Sequence, residues 1–218
     1  MEKFKYMVMS HGRCGSMLCS FLLNEYVKSK TNANDDDYFV LNVETKIIED
    51  YSKKDHVIYH SHNMTNLLTL PDDYTVIFPV RNIFDTVISK AFAVAIDRYK
   101  FFHSDLTSLT DIEPFFLDPK EFLDYYNYNR DWHRDCNILL SKFTKHTPIF
   151  LDYSDIEHDI ENFYNIVGLD FKLTDRSRKN ITVKVPYDYS KIITNYNDLK
   201  EYHISNERFI SIKTKLGL

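Results

Sequence analysis

Short apolar runs bounded by polar turns alternate along this chain with longer stretches whose apolar residues return every third or fourth position. Lys5 to Met9 is such a run, stopping at Ser10-His11-Gly12, the pattern of a buried first strand. Gly12 to Ser16 reads as a loop. Leu18, Phe21, Leu22 and Tyr26 are spaced along one helix face, so Leu18 to Tyr26 is predicted helical. Thr31 to Asp37 is polar and Asp-rich, a surface loop. Val57 to His60 is a second strand. Tyr74 to Val80 is the strongest strand signal, continuous and β-branched as a strand buried on both faces should be. Asp85 to Tyr99 follows as a helix, and Thr107 to Asp118 is irregular. Pro119 to Lys142 is a long helix with proline in its first position. Pro148 to Leu151 is another short strand. Ile156 to Val167 is a helix whose end falls at Gly168, and the tail beyond Pro186 is helical. Strands alternating with helices predict the α/β class, with a mainly parallel sheet and helices on both faces in three layers. Ligands of such sheets bind where the strands end.

Length and charge narrow this further. A chain of 218 residues suits a single domain, with about 101–142 as an elaborated insert. The net charge of −5 provides no broad basic field, which argues against nucleic acid or an anionic membrane as partner. Any anion site has to be built locally. No stretch approaches the ~20 apolar residues of a membrane span, and the first residues lead into a strand without a signal-peptide core. Cys14, Cys19 and Cys136 are sparse and odd in number, which reads as free thiols in a reducing compartment and a cytoplasmic location.

Two of only four glycines fall in Ser10-His11-Gly12-Arg13-Cys14-Gly15-Ser16-Met17, between a strand and a helix. A helix N-terminus presents unpaired N–H groups to an anion, and glycines let backbone curl around it. Arg13 adds a permanent cation and Ser16 a hydroxyl donor. The same segment also reads as a plain strand-to-helix turn with a surface arginine. It is P-loop-like without being a Walker A loop, because no lysine precedes Ser16 and no Mg²⁺ carboxylate accompanies it. Arg81 lies at a strand end, and Ser89 follows eight residues later on the next helix, on the face shared by Asp85. Arg81 and Ser89 can converge on one anion, with Asp85 orienting Arg81 or capping the helix. A structural Arg81–Asp85 pair is the alternative.

In combination these segments resemble the sulfotransferase family. Arg13-Cys14-Gly15-Ser16-Met17 is similar to its 5′-phosphosulfate loop at the cation, the glycine and the first hydroxyl. Arg81-Asn82-Ile83-Phe84-Asp85 through Ser89 matches its 3′-phosphate motif at all but a proline. Val57-Ile58-Tyr59-His60-Ser61-His62 looks like the strand that ends in the family's basic histidine. Leu151-Asp152-Tyr153-Ser154-Asp155-Ile156, with Gly168-Leu169-Asp170 beyond it, is similar to a further family segment. The resemblance spans about residues 5–170. Met17 replaces a second hydroxyl, Leu18 a tryptophan and His60 a lysine of the cytosolic enzymes. The tail lacks their Arg-Lys-Gly segment, leaving Arg178, Lys179 or Lys184 as substitutes. Asn195-Tyr196-Asn197-Asp198-Leu199 looks more like bacterial and phage-type members.

The resemblance implies sulfuryl transfer from 3′-phosphoadenosine-5′-phosphosulfate, leaving 3′-phosphoadenosine-5′-phosphate, to a hydroxyl or amine of a small molecule or carbohydrate. It assigns His62 and Arg13 to catalysis. It assigns Arg13, Cys14, Gly15, Ser16, Met17, Arg81, Ser89 and Tyr153 to the nucleotide. His11 is the rival base, since it adjoins the loop. His60 and His62, two apart on one strand face, also suit a pair of metal ligands, but no third ligand shares their register, so no metal is expected. Tyr125, Tyr126, Tyr128 and Trp132 belong either to an acceptor pocket or to core. A non-catalytic nucleotide binder of the same fold and a P-loop-type small-molecule kinase are the competing functions.

Overall fold

A computed structural model describes residues 3–31, 39–40, 54–98, 113–143, 146–180 and 188–216. Most of the loop expected at Thr31 to Asp37, the first half of Thr107 to Asp118, and Lys184 lie outside them. The chain divides into two compact units, Met1–Arg81 with Asp131–Lys184, and Asn82–Arg130 with Val185–Leu218.

The first unit is built on a five-stranded sheet: β1 Phe4–Met9, β2 Phe39–Val40, β3 His56–Ser61, β4 Thr75–Val80 and β5 Ile149–Asp152, in the order β2-β3-β1-β4-β5. Every pair is parallel, as continuous apolar strands separated by helices require. Pro79, which has no N–H to donate, lies beyond the last β1–β4 pair, Val8 with Ile77.

Side chains alternate across the strands, so each strand feeds two cores. Phe4, Tyr6, Val8, Ile58, Ile77 and Leu151 pack against α1, Ser16–Lys30, and against the short helices α4, Tyr153–Glu157, and α5, Asn162–Val167. Met7, Met9, Val57, Tyr59, Val76 and Phe78 point the other way and meet Trp132 and Cys136. Those two residues sit on the later half of α3, Pro119–Phe143. The unit is therefore an α/β sandwich with helices on both faces. Burying both faces of a sheet is the main favourable term in such a fold. Cys14, Cys19 and Cys136 are buried free thiols.

Several helix boundaries differ from expectation; α1 runs on to Lys30 rather than ending at Tyr26, and the helix expected from Asp85 begins at Ile83. α1 starts at Ser16 rather than Leu18, because Gly15 turns the chain with φ 84° and hands over directly to helix. The helix expected over Ile156 to Val167 is two helices. The Asp152 carboxylate accepts from Ser154 N at 2.9 Å and starts α4 directly after the strand. Asp159 then accepts from Glu161 N at 3.1 Å, and its carbonyl accepts from Asn162 N at 3.1 Å, which restarts the helix. Gly168 ends α5 at φ 76°, as expected of a left-handed cap residue.

The second unit holds α2, Ile83–Arg98, the first part of α3, and α7, Tyr196–Leu216. Phe84, Val87, Ile88, Ala91, Leu117, Phe122, Tyr126, Ile193 and Leu199 form its core. Phe115 bridges Ile193 in parallel, and the Asn195 amide closes on Leu117 N and O at 3.1 and 2.9 Å. Asn82, not Asp85, caps α2: its Oδ1 accepts from Phe84 N at 2.8 Å. Asparagine just before the helix, three residues ahead of Asp85, reaches the free N–H groups that an aspartate inside the first turn cannot. Among the described residues no helix is long and apolar enough to cross a membrane.

Candidate functional site

Parallel pairing places the carboxyl ends of the strands along one edge, and the sequence puts its chemistry there. β1 runs into Ser10, β3 into His62, β4 into Arg81 and β5 into Tyr153. The register pairs Met9 with Ser61 and Val80 with Asp152, so Ser10 and His62 lie at one level and Arg81 and Tyr153 at another. Parity adds a second constraint. Ile58, Ile77 and Leu151 face α1, and a period of two carries that face to His60 and His62, to Arg81, and to Tyr153.

The loop between β1 and α1 bends throughout, with positive φ at Gly12 (92°), Arg13 (61°) and Gly15 (84°). Among the described residues Arg13 is the one non-glycine with positive φ, a conformation that costs about 1–2 kcal/mol in an L-residue. Cys14 is wholly buried. Its sulfur lies 3.4 Å from His11 Nε2. Met17 is exposed at 38%, while Leu18 packs toward the core beneath it.

Three rings close on this loop. The His62 imidazole lies over Gly12, its Cε1 and Nε2 3.7 and 3.8 Å from where a β-carbon would stand. Its Nδ1 is 2.6 Å from the Ser10 carbonyl. A carbonyl can only accept, so Nδ1 carries the proton, and in the neutral ring Nε2 keeps its lone pair. Trp132 Nε1 donates to the His62 carbonyl at 3.3 Å and fixes the backbone beneath the ring. The Tyr153 ring lies so close over Gly15 that a β-carbon there would meet Cδ2 at 2.4 Å. The Arg81 guanidinium sits over that ring, 4.8 Å from its centroid, a cation–π contact. The third ring, His60, is buried and places Nε2 2.8 Å from Ser16 Oγ. Burial, and then the neighbouring His62, push its pKa down to about 4, so near pH 7 it is uncharged.

His11 turns away from this group. Its ring meets Trp132 and His133 edge-on at 5.4 and 4.9 Å. Burial, and then His133, push its pKa down to about 4. The sequence therefore brings Arg13, Gly15, Ser16, His62, Arg81 and Tyr153 to one edge of one unit. Ser89 is buried on α2, in the second unit. Trp132 and Tyr126 are core residues and Tyr128 is exposed. The hydrogen bond of His60 to Ser16 and that of Trp132 to His62 were not legible in the sequence, although the shared parity of His60 and His62 pointed toward the loop. Among the described residues no group of three or more His, Cys, Asp or Glu is placed to hold a metal ion.

Comparison with known proteins gives little beyond this. No family model matches the chain, and no curated protein matches it. Among solved structures it is similar to the sulfotransferase domain from the curacin biosynthetic pathway, at 9% identity and a TM-score of 0.45. The match covers 92% of this chain and 97% of that one.

Proposed function

We propose that this protein is a sulfotransferase that uses 3′-phosphoadenosine-5′-phosphosulfate and sulfurylates a hydroxyl or amine of a small molecule or carbohydrate. One observation carries the reading: His62 has Nδ1 committed to the Ser10 carbonyl at 2.6 Å and its ring lying over Gly12 of the arginine-bearing loop. A base with a fixed tautomer, held against an anion loop, is what proton removal beside a transferring sulfuryl group needs.

The donor set suits such an anion. Arg13 is the nearest cation of the loop itself, the N–H groups at the start of α1 point outward, and the Ser16 hydroxyl lies at the same turn. Arg81, steadied on Tyr153, supplies a second guanidinium and is assigned to the 3′-phosphate. The bound nucleotide supplies an activated sulfuryl group with a good leaving group. His62 Nε2 takes the acceptor proton as its oxygen or nitrogen attacks. Arg13 and the loop N–H groups balance the charge that develops there, and no metal is assigned a part. The whole chain is taken as one functional domain, with about 101–142 on the acceptor side.

The test is ligand-dependent thermal stability followed by turnover. 3′-Phosphoadenosine-5′-phosphate should raise the melting temperature, and ATP with Mg²⁺ should not. A panel of phenols, sugars and amines with the sulfated nucleotide should reveal product. Stabilisation by ATP with Mg²⁺ alone overturns the proposal in favour of a kinase. The uncharged state of His60, where the cytosolic enzymes carry a lysine, favours one second reading, a nucleotide binder without activity. Tight nucleotide binding with no turnover on any acceptor would establish that instead.

A further inference from the structure

Ser16 is buried, opens α1, and faces His60 across 44 residues of chain at 2.8 Å. A hydroxyl has one proton to give. If that proton went to His60, only lone pairs of Ser16 would face the loop, and an incoming anion would meet acceptors. If His60 Nε2–H donates instead, the Ser16 proton turns outward beside the helix N–H groups. The Ser16 carbonyl is held as well, by the Ser20 hydroxyl at 3.0 Å, so the turn is fixed and only the hydroxyl rotor remains to be set.

We propose that His60 is a positioning residue: its Nε2–H donates to Ser16 Oγ and so makes Ser16 an obligate donor to an anion bound in the Arg13 loop. This rests on the sulfotransferase reading for the identity of the anion. Burial keeps the ring uncharged, so His60 supplies orientation in place of charge. It also means that His60, whose ring centroid is 4.6 Å from that of His62, adds no charge beside His62 when that ring takes up a proton. Sequence parity makes the arrangement possible, because His60 and His62 share the β3 face that looks onto α1.

Two measurements test the proposal. The first is the imidazole ¹⁵N spectrum of the unliganded wild-type protein near pH 7. The Nε2–H tautomer of His60 is expected, and either the Nδ1–H tautomer or the imidazolium overturns the assignment. The second is the affinity for 3′-phosphoadenosine-5′-phosphate by calorimetry. Ser16→Ala should weaken binding roughly 10- to 100-fold, the range of one hydrogen bond to a charged group. His60→Leu should reproduce most of that loss, and the double variant should add no more than about twofold to Ser16→Ala. His60→Gln, whose amide N–H reaches the same oxygen, should recover most of the affinity. Unchanged affinity in His60→Leu, or losses that multiply in the double variant, overturn the coupling. If His60→Leu does not fold, a His60→Gln variant that binds as weakly as Ser16→Ala does the same. Failure of the wild type to bind the nucleotide at all overturns the sulfotransferase reading, whatever tautomer His60 shows.

Discussion

Gly15→Ala is the sharpest probe of how the loop is assembled. Gly15 sits at φ 84° and ψ 11°, where an L-residue costs about 1–2 kcal/mol more than glycine. The added methyl would lie 2.4 Å from Tyr153 Cδ2 and 2.6 Å from Cε2. Ordinary carbon contacts begin near ~3.5 Å, so the ring must retreat by about 1 Å or rotate. Either movement gives up the Arg81 guanidinium stacked at 4.8 Å, a contact worth about 0.5–2 kcal/mol. The whole loss is about 1.5–4 kcal/mol, which for a chain of 218 residues lowers the melting temperature by about 3–16 °C. Circular dichroism on heating measures it. The control is the same substitution in a Tyr153→Ala background, where the clash and the stacking are already gone and only the backbone cost of about 1–2 kcal/mol remains. Equal losses in the two backgrounds would refute the claim that Tyr153 packs on Gly15.

Three other substitutions or conditions follow from the same geometry. His62→Ala should leave nucleotide affinity within about twofold and lower kcat by roughly 10²–10⁴-fold; retained turnover would move the base elsewhere. Arg81→Ala should weaken nucleotide binding about 10- to 100-fold by calorimetry, and Arg81→Lys should restore only part of it, since an ammonium keeps the charge but not the planar stacking on Tyr153. Acid should destabilise the fold. Burial pushes the folded-state pKa values of His11 and His60 down to about 4, against about 6.5 for an exposed histidine, so their contribution is complete above about pH 6.5 and is lost as pH falls toward 4. The slope approaches about 1.4 kcal/mol per pH unit for each histidine. His60→Gln should flatten the melting temperature between pH 7 and 5, and a flat wild-type profile would contradict the buried, uncharged rings.

Four of the five strands were legible because burial on both faces leaves a continuous apolar signature, and Tyr74 to Val80 and Lys5 to Met9 fall within a residue of their observed bounds, whereas the two-residue β2, Phe39–Val40, carries no such run. Gly168 was legible because a left-handed helix end has few other solutions. The break inside Ile156 to Val167 was not. Ile156, Ile160, Phe163 and Tyr164 keep helical spacing across it, since both short helices pack on the same core, while the interruption comes from Asp159 bonding locally to the backbone. Apolar period records which face is buried and is blind to that competition. The site shows the same division. Arg81 and Tyr153 could be placed at strand ends from the sequence. Their stacking depends on the pairing of Val80 with Asp152, which joins segments some seventy residues apart. His60 lies one hydrogen bond from Ser16 for a like reason, through the register of β1 with β3.

Arg13 is where the two readings of the loop part. A plain strand-to-helix turn needs a residue at φ 61°, and glycine or asparagine would supply it at little or no cost. Arginine there carries strain of about 1–2 kcal/mol. Such strain persists where the side chain or the backbone direction is needed. Under the proposed function that need is anion binding, and the surroundings suit it: His62 over Gly12, Arg81 stacked on the ring above Gly15, and a buried hydroxyl at the first turn of the helix. On a chain of net charge −5, an arginine in the loop and another stacked at a strand end bring local positive charge against the global one. A solvated turn has no use for that field, whereas the proposed nucleotide, with its 3′-phosphate and 5′-phosphosulfate, calls for one.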